Sequence, residues 1–123
     1  MIDKLDHLLE SMKEARETSD IVSARAYELR QKAIRLQFEA NSAIEAVDLI
    51  SEILRQCKDP ELIHSISKNS LEAIMKAADS TLIAIEAVEQ ANEADKEVTK
   101  VLLIAKEAAE NLSDALKELT SNV

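Results

Sequence analysis

The 123-residue chain has no glycine and no tryptophan, and only one proline, one cysteine, one tyrosine and one phenylalanine. Without glycine there is no cheap source of positive φ, so phosphate-cradling loops and Rossmann-type turns are excluded. With aromatic residues at 2%, the chain also lacks the material from which most sheets are built. A single cysteine, Cys57, cannot close an internal disulfide, so nothing points to a secreted, stapled scaffold. The longest uninterrupted apolar run is Val101–Ala105, far short of a bilayer span. The opening Met-Ile-Asp-Lys-Leu-Asp is charged at once and has no apolar signal core. These features predict a soluble, cytoplasmic chain.

What is present is apolar residues at 46% and charged residues at 32%, enough of both to fold. The net charge is −9, which repels phosphate backbones and anionic lipid, so neither nucleic acid nor membrane is expected as a partner. The charge is uneven. Residues 21–38 carry Arg25, Arg30, Lys32 and Arg35 against Glu28 alone, whereas residues 80–123 carry an excess of acids. The basic segment reads either as a docking surface for an acidic partner or, more simply, as a positive helix lying against acidic neighbours of its own chain.

Apolar residues recur at helical spacing almost from end to end. The stripes run Ile2, Leu5, Leu8/Leu9, Met12; then Val22, Ala26, Leu29, Ala33, Leu36, Ala40; then Ile44, Val47, Ile50, Leu54. They continue with Ile63, Ile66, Leu71, Ile74, Ala78, and last with Val98, Val101, Ala105, Ala108, Leu112, Ala115, Leu119. Candidate breaks are Thr18-Ser19-Asp20, Lys58-Asp59-Pro60-Glu61 and Asn92-Glu93-Ala94-Asp95, each offering capping side chains. Weaker ones are Asn41-Ser42, a capping box with Glu45, and Asp79-Ser80-Thr81. At these two the stripe could also run straight through. The breaks fall 36 to 39 residues apart, a rhythm that suggests a two-helix unit repeated three times. The expected fold is therefore all-α: one domain, residues 1–123, arranged as a compact array of about five or six antiparallel helices. The alternative is an up-down four-helix bundle with two long helices.

Catalytic chemistry finds little to work with. A carboxylate-bridged di-iron bundle needs Glu-x-x-His on two helices; the chain has one such pair, Glu61 and His64, while His7 is preceded at that spacing by Lys4. Structural zinc needs four N/S ligands, and Cys57, His64 and His7 make three. Cys57 reads as a small apolar residue at a helix end, and Glu61 as a first-turn acid after Pro60. The polar stretch from His64 to Ser70 reads as solvent-facing or fraying, and Tyr27 and Phe38 as filling the core or its edge. No catalytic, cofactor-binding or metal-binding residue is assigned, and no cofactor is expected.

The connections Glu-Thr-Ser-Asp, Cys-Lys-Asp-Pro-Glu-Leu and Ala-Asp-Ser-Thr, set among alanine-rich Leu/Ile helices without glycine, resemble those of computationally designed helical-repeat and fragment-assembled proteins. That resemblance implies a scaffold with no biochemical activity, whose purpose is to adopt its fold. The chain departs from idealised designs in its free cysteine, two histidines and three methionines, which fits stitched natural fragments and leaves a natural origin open. The alternative is a natural helical protein–protein interaction module or adaptor fragment, docking through the surface around Arg25, Arg30, Lys32 and Arg35. The expected state is a monomer needing no partner, with a homodimer as the alternative. Burial separates the two functions: a self-contained scaffold covers every stripe, and a module leaves one exposed.

Overall fold

A computed structural model of the chain describes residues 2–121; the side chain of Ile2, part of the first stripe, lies outside the described residues. Two helices account for nearly all of it: α1, Ile2–Gln56, and α2, Pro60–Ser121. Among the described residues there is no strand. The count of five or six helices is thus corrected to two long ones, and the spacing of the candidate breaks does not correspond to helix ends.

One break is real, and its chemistry explains why. Cys57, Lys58 and Asp59 leave the helix. Pro60 has no N–H to give to a preceding turn, and its ring would clash with the carbonyl four residues back, so α1 cannot continue through it. As the first residue of α2 the same proline costs nothing. Asp59 caps the new helix: the Glu61 N–H donates to its Oδ1 at 3.1 Å and the Ile63 N–H to its carbonyl at 2.9 Å. The turn uses no positive φ among the described residues, so the lack of glycine is no obstacle to it.

The other four candidate breaks are helical throughout. Ser and Thr hydroxyls in a helix can donate back to the carbonyl of the preceding turn instead of capping a new one. Thr81 Oγ1 does so to the Ala77 carbonyl at 2.7 Å, and Thr99 Oγ1 to that of Asp95 at 3.3 Å. Capping residues inside a helix cost a few tenths of a kcal/mol in propensity, roughly, and proline about 3. Only the proline can overrule a continuous apolar seam.

That seam is the main finding of the fold. The chain divides into two compact units, residues 1–28 with 91–123, and residues 29–90. In the second unit, α1 turns inward Leu29, Ala33, Leu36, Ala40, Ala43, Val47, Ile50 and Leu54, in unbroken steps of three and four. The facing positions of α2 are Ile63, Ile66, Ser70, Ala73, Ala77, Ser80, Ala84 and Ala87, in the same steps. This is a heptad pattern, and across a tight turn it makes an antiparallel coiled-coil hairpin. In the first unit, Leu5, Leu8, Met12, Ala15, Ser19, Val22 and Ala26 face the stretch from Ala91 through Val98, Val101 and Leu112 to Leu119 with the same period. Grooves shared by Leu5 with Ala115 and Leu119, and by Met12 with Leu112 and Leu116, give this pair the same antiparallel sense.

The seam is small. Its buried apolar members are Ala15, Ala26, Ala33, Ala40, Ala77, Ala84, Ala87, Ala91 and Val101, and among the described residues no large side chain is fully buried. Alanine lets two backbones approach closely but removes little apolar area, whereas a buried Leu or Ile is worth about 1.5–3 kcal/mol. Ser70, 5% exposed, sits in the seam and donates its hydroxyl to the Ile66 carbonyl, which satisfies it at no cost in width. The stretch 64–70 is therefore part of α2, exposed at His64, Ser65, Ser67, Lys68 and Asn69 and closed at Ser70.

Candidate functional site

Residues with possible chemistry do not converge. Glu61, His64 and His7 are exposed, and Cys57 is half-buried with its thiol 3.9 Å from the Asp59 carbonyl. Among the described residues no group of three or more His, Cys, Asp or Glu side chains is placed to share a metal ion. Glu61 is engaged through its backbone at the start of α2, where an acid suits the helix dipole. The grooves along the helices are shallow and mixed, Gln37, Asn41, Thr81 and Glu89 standing beside Ala40, Ile44, Ala84, Ile85 and Val88 in one, and Ser113, Lys117 and Thr120 beside Met12, Leu112 and Leu116 in another.

The large apolar side chains are the surprise. The fourth sequence stripe placed Leu71, Ile74 and Ala78 in the core beside Ile63 and Ile66; α2 instead buries or half-buries their smaller neighbours Ser70, Ala73 and Ala77 and leaves all three exposed. The heptad phase carried by the rest of α2 sets this choice. Tyr27 and Phe38, expected in the core or at its edge, are 67% and 73% exposed. Within residues 29–90, α2 shows a second stripe, Leu71, Ile74, Met75, Ala78, Leu82 and Ile85, spaced by three or four apart from the adjacent Ile74 and Met75. Met75 is 66% exposed, Leu71 59% and Leu82 57%.

The stripe adjoins a groove in which Ala40 and Ile44 of α1 meet Thr81, Ala84, Ile85 and Val88 of α2. Both helices line this edge, and Gln37, Asn41 and Glu89 stand beside the apolar residues. The groove on the other edge of the seam is mixed as well, with Glu39, Ser42, Lys76 and Ser80 beside Phe38 and three alanines.

The basic segment lies on α1. Arg25, Lys32 and Arg35 are exposed and Arg30 is half-buried. Arg30 has an interaction partner, whereas among the described residues Arg25, Lys32 and Arg35 make no ion pair. Ion pairs such as Arg55–Glu52 at 3.3 Å, Lys96–Glu93 at 3.1 Å and Lys106–Glu110 at 3.7 Å run along a single helix. Exposed pairs of this kind contribute little to stability.

No helix among the described residues is long and apolar enough to cross a membrane. The chain matches no protein-family model, and neither curated proteins nor solved structures show a significant similarity to it.

Proposed function

We propose that this chain is a helical protein–protein interaction module: a coiled-coil hairpin that offers an exposed apolar stripe of α2 to a partner. The observation that carries it is the inversion of size between inside and outside. Alanines take most of the fully buried seam positions and the seam's Leu, Ile and Val are only half-buried, while Leu71, Ile74, Met75, Leu82 and Ile85 stand in solvent on one stripe. Scattered exposed apolar residues are ordinary, but a contiguous stripe rimmed by polar groups marks an interaction site. A self-contained scaffold, designed or natural, would place those side chains in its seam and alanines outside it.

The test is dye binding by the isolated chain, diluted until sedimentation shows a monomer. The module reading expects ANS fluorescence to rise with the wild-type chain and to fall back when Leu71, Leu82 and Ile85 are each changed to Gln, with far-UV helicity retained. A helical monomer that leaves the dye dark would remove the basis for an interaction face.

A further inference from the structure

We infer that the fold opens in a fixed order: the first unit, residues 1–28 with 91–123, parts while the second, residues 29–90, stays closed, and the reverse does not occur. The chain thus carries a partial opening built into its connectivity, independent of the apolar stripe on α2. Two observations set the order.

The first is how each unit is joined. The two segments of the second unit are linked by Cys57, Lys58 and Asp59 alone, and the turn is held by the Asp59 cap on the Glu61 N–H. The two segments of the first unit are linked only through the 62 residues 29–90. The entropic cost of closing a loop grows as three-halves of the logarithm of its length. With 29–90 unfolded, the first unit therefore closes at a disadvantage of roughly a hundredfold against the pair beside the turn. Folding of the second unit sets Leu29 and Ala87 at the same end of its hairpin, which removes that disadvantage. The first unit forms after the second and parts before it.

The second is burial. Among the described residues the first unit buries Ala15, Ala26, Ala91 and Val101, and the second, of nearly equal length, buries Ala33, Ala40, Ser70, Ala77, Ala84 and Ala87. Partial opening takes the region with fewer buried contacts. Parting of the first unit bares Leu8, Leu112 and Leu119, half-buried when it is closed, so the opened chain presents apolar surface that the closed one covers.

Native-state hydrogen exchange of the full chain in dilute solution and mild denaturant, read by mass spectrometry away from helix ends, tests this. Amides 12–26 and 98–112 should be protected about tenfold less, or weaker still, than amides 36–50 and 70–84, because partial opening lies below global unfolding in free energy. Val101→Ala removes buried methyl groups from the first unit. It should lower protection in both units by one factor, roughly tenfold, since global unfolding includes loss of the first unit. Ala84→Gly weakens the second unit; it should lower protection there roughly fivefold and leave the first unit unchanged. Far-UV circular dichroism checks that both variants stay helical. Equal protection in the two units, or weaker protection in 29–90, overturns the order. So does an Ala84→Gly chain in which both units lose protection alike, the mark of a single cooperative opening.

Discussion

Asp59 and Ser42 are the same kind of residue in sequence, short acceptors ahead of a Glu, and the fold uses them in opposite ways. Asp59 caps α2 through the Glu61 N–H, so Asp59→Ala should destabilise the chain by about 1 kcal/mol, read as a lower urea midpoint with unchanged slope. Ser42 lies inside α1, exposed, so Ser42→Ala should be neutral or stabilising by a few tenths of a kcal/mol, roughly the difference in helix propensity. A loss of about 1 kcal/mol at Ser42, the size of a lost cap, would mean that α1 ends there after all. What made Pro60 legible and Ser42 misleading is the strength of the constraint. Proline forbids a helix interior, whereas Ser, Thr, Asn and Asp merely prefer an end and yield to packing.

For a whole helix, the decisive signal was phase. Two stripes matched the seam as they stood, Val22 to Ala40 in α1 and Val98 to Leu119 in α2, because their steps of three and four already lie on the heptad phase of the seam although Ile34, Phe38, Leu102 and Leu103 stand exposed beside them. Leu71, Ile74 and Ala78 misled because larger residues attract assignment to a core, yet the seam needs small ones where the backbones come close. Following the three-and-four steps backwards from Val98 through Ala91, Ala84 and Ala77 reaches Ser70 and not Leu71. Adjacent alanines test the phase. Ala77 is 7% exposed and Ala78 faces solvent, so Ala77→Leu should overpack the seam and cost about 1–3 kcal/mol. Ala78→Leu should stay within about 0.5 kcal/mol in the monomer. Equilibrium urea melts at low concentration compare the two, and the reverse order would put the seam one residue later.

For the molecule, composition predicted an all-helical fold, which the described residues show, but could not say which stripes would be covered. Burial is a property of the paired helices, and α2 carries two overlapping apolar patterns of which one is used in the hairpin. The exposed one, through Leu71, Met75 and Leu82, is where function is argued to lie. Met75 reports on it directly, since a thioether in solvent reacts readily with hydroxyl radical and a covered one does not. Footprinting by mass spectrometry in dilute solution, with Met12 of the other unit as internal reference, is the measurement to make. Met75, 66% exposed against 39% for Met12, should oxidise faster than Met12; a Met75 oxidised more slowly than Met12 would contradict an open apolar stripe on α2.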